Sequence, residues 1–382
     1  YPKNLENPID SYEDFYFYFN DKDSLPKNIN TLELEYSLVG LSHKRLAFIH
    51  KYSRESITFE HYDYIRQTSN IDDFSFIIRD EVSKEIRIKS GDWIVNKTIV
   101  FPKGYTIKAF PGLILRLADG VNLFSNSAFD FNGTSSNPIK ILANSPKAQG
   151  VFIIESKKQS NFNNVHFIGL GGPSYNNWSL TGAVSFYESP VDLSNCIFTS
   201  NNSEDALNIV RSDFSISNTI FKNIKSDAID LDFAKGELSW INLENIGNDG
   251  VDISGSVVTL NSIQVISAGD KAISAGEGSK MIIKKLEIFD SEIGIASKDN
   301  SLVLGSMIEI QRVKVGFVAF QKKPEYGPGN IDLTNVTWED TSIMNLLEKN
   351  STIIINSQKY QPNTKGVKDQ LYGRMYGKES SR

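Results

Sequence analysis

Four kinds of residue or pattern are scarce in this 382-residue chain, and each scarcity excludes something. A single cysteine, Cys196, leaves no internal disulfide and no cysteine-based zinc site. It sits in Asn195-Cys-Ile-Phe198, where a buried thiol would pack as a small apolar residue. No run of 18 or more apolar residues is present, so no helix should span a membrane. Of the four histidines, His43, His50 and His61 lie near the start at spacings that match no metal motif, and are read as solvated or hydrogen-bonded. Basic excess is missing too: the net charge is −6 and the pI near 5.4, which excludes general nucleic-acid binding through a basic stripe. The first residue is Tyr1 rather than Met, as expected of a processed or truncated product whose export signal is gone. Low cysteine with many Asn, Ser, Thr and Asp points to a bacterial extracytoplasmic protein, periplasmic, surface-bound or secreted.

What the chain has instead is a repeat. Blocks that begin at Asp205, Asp227, Asp249, Lys271, Ile293 and Val315 are 22 residues apart each time. Each carries Ala or Gly second, then an apolar/any/apolar triplet, with Ser297 the one polar exception, the period-2 signature of a strand. One such coil cannot bury its own apolar side, but stacked coils share a continuous core. The expectation is an all-β fold, a right-handed parallel β-helix of about 22 residues per coil. Its span is read as residues 86–357, because short strands broken by Gly and Pro begin at Ile86. Gly182-Ala-Val-Ser-Phe186 precedes the six blocks by 23 residues, one insertion off the period. Residues 1–85 lack the repeat and are read as an irregular or small α/β N-terminal cap, with Asn4 to Asp23 irregular, a strand at Leu32–Tyr36 and a helical turn or strand at His43–His50. A protein partner could engage this segment. The Gly/Pro/Asn stretch from Gly169 to Ser179 reads as a bulging loop, Gln321–Gly329 as a protrusion, and residues 358–382 as a polar, loose tail.

Strand parity separates two acidic columns. Apolar Ile229 and Leu231 point into the coil, so Asp230 and Asp232 point out, as does Asp252 one coil on. Equal register predicts an outward column of Ser185, Asn208, Asp230, Asp252 and Ser274 on an exposed face. Asp205, Asp227 and Asp249 form a second column at the turn entering each strand, where Asp caps backbone N–H groups. Carboxylates on rungs about 4.8 Å apart repel by about 3.5 kcal/mol at an effective dielectric near 20. Such crowding calls for a bound cation, a shared proton or a basic partner. The nearby cations are Arg211, Lys235 and Lys271. Further along stand Glu277 and Asp299, one coil apart with Lys298 able to pair either, and then Lys322 and Lys323.

The repeat, from Ile86 to Ile355, resembles the pectin-lyase-like β-helix superfamily, which includes polysaccharide lyases, mannuronan epimerases and polygalacturonases. Asn248-Asp-Gly-Val-Asp-Ile-Ser254 and Gly269-Asp-Lys-Ala272 are similar to two motifs of the family-28 polygalacturonases. That resemblance implies Asp249 and Asp270 as catalytic carboxylates. Lys271, however, stands where that family has a second aspartate, and its later His-Gly and Arg-Ile-Lys motifs are absent, as is the epimerases' Asp-Pro-His-Asp segment. Lyases on this fold hold calcium with acids and abstract a proton with Lys or Arg. The resemblance therefore implies Ca2+ at Asp227, Asp230, Asp232 and Asp252, with Lys271 and Arg211 as catalytic groups. Asn208, Lys235, Glu277, Lys298 and Lys322 would then bind substrate along the face. The expected function is lyase-type β-elimination of an acidic polysaccharide; the alternative is a non-catalytic solenoid that binds polysaccharide or protein.

Overall fold

The computed structural model describes residues 33–37, 43–48, 67–175 and 178–372. Asn4 to Asp23, His50, His61 and the last ten residues lie outside them. Two compact units divide the chain, Tyr1–Thr58 and Phe59–Arg382. In the first, Glu33–Tyr36 pairs antiparallel with Arg45–Phe48, so the stretch around His43–His50 contributes a strand.

The second unit is a parallel β-helix. Eleven strands stack into one sheet, from Ile99–Phe101 to Ile343–Leu347, and all six repeat blocks belong to it. The other faces form a twenty-stranded sheet, which also includes two antiparallel end pairings. The inward residues Leu207, Ile229, Val251, Ile273, Ile295 and Phe317 lie one above the next and are fully buried. Phe167, Phe198 and Phe221 stack within the core at 4.7 and 4.6 Å between ring centroids. Cys196 is buried there, as its apolar setting predicted.

Backbone polarity at the bends is met by ladders. Just past the eleven-stranded sheet, the hydroxyls of Ser189, Ser212, Ser256, Ser279 and Ser301 each accept a backbone N–H from the preceding coil at 2.8–3.1 Å. At this corner the chain turns through left-handed φ at Glu188, Arg211, Phe233, Gly255, Glu277 and Asp299, one or two residues before the serine on every coil but that of Phe233, which Ala234 follows. This corner fixes where Arg211, Glu277 and Asp299 sit.

The tail departs from expectation. Gln358–Lys359 pairs with Thr352–Ile355, and Val367–Leu371 forms a short helix, α1, that buries Val367 and Leu371. The Gly169–Ser179 stretch contains a small antiparallel pair, Ser174–Tyr175 with Trp178–Ser179.

Candidate functional site

One outward position can be followed across the whole eleven-stranded sheet: Val100, Phe124, Phe152, Ser185, Asn208, Asp230, Asp252, Ser274, Ala296, Val318 and Leu346. The column is apolar at both ends and polar only in its middle five rungs. At the first end, Val100, Phe124, Phe152 and Ile154 cluster with Leu180 and Tyr187. At the other, Ala296, Val318, Phe320 and Leu346 are covered by Val367 and Leu371 of α1, with Tyr372 alongside. Apolar outward residues recruit cover because leaving them in water is unfavourable. The acids therefore lie in a polar window between two covered patches. The exposed face expected from parity is corrected accordingly: Ser185, Asn208 and Ser274 are buried, and Asp230, Asp232 and Asp252 are half-buried.

Asp227 and Asp249 of the turn column cap the backbone as expected, whereas Asp205 Oδ2 is buried without a hydrogen-bond partner among the described residues. Asp227 Oδ1 accepts the Asp249 N–H at 2.9 Å and the Asn248 amide at 2.5 Å, and Asp249 Oδ1 accepts the Lys271 N–H at 2.9 Å. Lys271 then turns its ammonium onto Asp249, at 3.4 Å, and onto Asp270. Its side chain is only 3% exposed. Burial alone would depress its pKa, but Asp249, Tyr372 and Asp270 together hold it well above the ordinary lysine value. Lys271 is thus a fixed cation. Burial lifts Asp249 to about 8, against the pull of Lys271 and with the push of Asp270 and Asp227. One ammonium serves two carboxyls, and the trio is balanced when one acid keeps a proton.

In the window the carboxyls separate. Burial first, then Asp232 and Asp205, push Asp230 well above the usual range. Burial and Asp252 raise Asp232 to about 6, and burial raises Asp227 to about 6. Asp252 goes the other way: burial acts to raise it, but Lys298, Lys271 and Ser274 outweigh burial and hold it below the normal value. Lys298 Nζ lies 3.4 Å from Asp252 and donates to Ser274 Oγ at 3.0 Å. Asn208 donates to Asp230 at 2.9 Å.

Several expected placements change. Lys298 reaches back two coils to Asp252 rather than pairing Glu277 or Asp299; Lys323 pairs Glu277 instead. Asp299 Oδ1 accepts the backbone N–H groups of Lys322 and Lys323, both at 2.7 Å. Arg211 and Lys235 are not brought to the window. Arg211 follows the C-terminal end of its strand and donates to Tyr187 at 2.8 Å, whereas Lys271 opens its own strand three coils on. Arg211 and Lys235 line a separate groove with Glu188, Asp213 and Phe233. Sequence reasoning missed Tyr372, whose ring lies 4.3 Å from Lys322 Nζ and 5.5 Å from Lys271 Nζ. The helical spacing of Val367 and Leu371, four apart, was the available signal.

Among the described residues, no three His, Cys, Asp or Glu side chains are arranged to hold a metal ion. Asp227, Asp230, Asp232 and Asp252 accept hydrogen bonds from Asn248, Asn208 and Lys298.

No family model matches the sequence, and no curated protein matches it. Similar solved structures include the catalytic domain of a GH87 alpha-1,3-glucanase in complex with nigerose, at 12% identity and a TM-score of 0.40, covering 75% of this chain and 65% of that one. The periplasmic alginate epimerase AlgG is similar at 10% identity and a TM-score of 0.34, covering 70% of this chain and 80% of that one. The chain thus spans about two thirds of the glucanase domain's length. At such low similarity the fold assignment rests on the strand register itself.

Proposed function

We propose that the polar window is a carbohydrate-active site, with Asp230 as proton donor and Asp252 as the ionised carboxylate. The observation that carries this reading is the in-register pair Asp230–Asp252, whose surroundings push one carboxyl up and the other down. Two carboxyls driven apart in this way are suited to acid and base roles at one pH. Rungs about 4.8 Å apart are close to the roughly 5–5.5 Å separation of retaining glycosidase carboxyls. In such a reaction Asp230 gives its proton to the glycosidic oxygen as that bond breaks. Asp252, or a water that it orients, forms the new bond at the anomeric carbon. Polysaccharide enters the reading through the motif resemblance of Asn248–Ser254 and Gly269–Ala272. Asp249 and Asp270 of those motifs lie buried on Lys271. A substrate of this kind agrees with an extracytoplasmic location.

Lysines at one edge of the window favour a second reading, β-elimination of an acidic polysaccharide. Lys298 and Lys322 would face a uronate carboxylate there. The base would have to be a window carboxylate, since Lys271 is held charged and Arg211 lies at another corner.

Incubation with neutral and uronate polymers, following both new reducing ends and the absorbance of unsaturated ends, separates these readings. Reducing ends without absorbance support the acid–base pair, and both signals together support elimination. Binding without either supports the non-catalytic alternative. No binding and no turnover across the panel would contradict a carbohydrate-active site.

A further inference from the structure

A groove on the twenty-stranded sheet, away from the window, is lined by Asn218, Trp240, Asn242, Gln264 and Glu287. It crosses the strands Asp213–Ile224, Lys235–Ile246, Val257–Ala268 and Leu286–Phe289. Trp240 is 63% exposed and its backbone is left-handed, with φ 57°. On the three preceding coils the corresponding corner is Asn164, Asn195 and Asn218, at φ 53°, 54° and 48°. Asparagine tolerates that conformation because its short polar side chain bonds locally, but a bulky indole gains nothing from it. The fold therefore holds a large aromatic in a strained corner and presents it to solvent instead of filling the core. Strain of that kind persists where surrounding structure over-determines it, and it clusters at functional positions.

The groove's polar groups suit a hydroxyl-rich ligand. Asn242, Gln264 and Glu287 share one register position on successive rungs, so amide and carboxylate groups recur at the rung spacing. Among the described residues, no protein group bonds the side chains of Asn218 or Asn242, and both are exposed. Glu287 is the one charged residue lining the groove, and Lys285 pairs it at 2.7 Å while Gln264 donates to it at 2.9 Å, so the groove offers no unpaired charge to select an ionic polymer. We infer that this groove is a binding subsite for a neutral oligosaccharide. One pyranose ring stacks on the Trp240 indole, and its hydroxyls bond Asn218, Asn242, Gln264 and Glu287. The site is independent of the acidic window, which lies on the other sheet.

The test is titration of the full chain with cellohexaose, xylohexaose, mannohexaose and dextran, followed by tryptophan fluorescence and by calorimetry. Wild type should bind at least one of these, and Trp240→Ala should weaken that binding at least about tenfold. Asn242→Ala should weaken it less. Circular dichroism and the thermal midpoint establish that Trp240→Ala is folded; alanine keeps the Cβ that left-handed φ disfavours and the indole is 63% exposed, so the midpoint should stay close to wild type. The inference is overturned if no probe binds or if binding survives Trp240→Ala in a folded protein.

Discussion

Asp230 and Asp252 occupy the same position on adjacent strands, yet Asp230 is pushed up by burial and its acidic neighbours while Lys298 and Lys271 hold Asp252 down. If this pair performs the chemistry, activity should be bell-shaped in pH. The acid limb reports protonation of Asp252, below the ordinary value of 3.8. The alkaline limb reports loss of the Asp230 proton. Asp252→Asn should remove the acid limb together with at least a hundredfold of the rate, which is on the order of a positioned carboxyl's contribution. A pH–rate profile checks both.

Stability should fall as pH rises from about 4 to 8. Asp227 and Asp232 are raised to about 6 and Asp249 to about 8, from 3.8, so the folded state binds more protons than the unfolded chain across that window. An acid with a raised folded pKa stabilises below its unfolded value, and that contribution is lost as pH climbs through the folded one. Asp252, depressed, opposes this only at lower pH. Urea denaturation at pH 5 and pH 8 should show the larger free energy at pH 5, and Asp230→Asn should narrow the difference.

Among the described residues, Lys271 alone forms ion pairs with the two buried carboxyls Asp249 and Asp270. Lys271→Met should cost about 3–5 kcal/mol by leaving buried charge uncompensated. Adding Asp270→Asn should restore part of it. Equilibrium unfolding of the single and double variants measures the recovery.

Gly255 turns at φ +60°, and a Cβ there would lie 2.3 Å from the Phe233 ring. Gly255→Ala should therefore destabilise by more than the roughly 1 kcal/mol expected of left-handed strain alone. In a Phe233→Ala background the excess should vanish, which a double-mutant cycle reads directly.

Helix α1 docks through Val367 and Leu371 on outward Ala296, Val318 and Leu346. Leu371→Ala should weaken that docking by about 2–4 kcal/mol. Hydrogen exchange should then quicken over residues 358–372 and leave the coils from Asp205 to Gly276 protected.

The repeat made the coil legible because strand parity and a constant 22-residue spacing encode register directly. The columns of Asp205, Asp227 and Asp249 and of Asn208, Asp230 and Asp252 followed from the same rule. Parity gives direction but not cover, so the half-burial of the acids was not readable from their own segments. It depends on Phe124 and Phe152 at one end and on α1, distant in sequence, at the other. The same limit applies to Arg211 and Lys235, whose sequence proximity to the acids hides a left-handed corner that carries them to another groove. The pairing of Lys298 with Asp252 also escaped, because it spans 46 residues.

The central claim, a split carboxyl pair in the polar window, is tested most directly by carboxyl-carbon NMR titration of aspartate-labelled protein, with Asp230→Asn and Asp252→Asn assigning the signals. The account predicts Asp230 titrating well above the ordinary aspartate range and Asp252 below 3.8. Both titrating together near the ordinary value would contradict it.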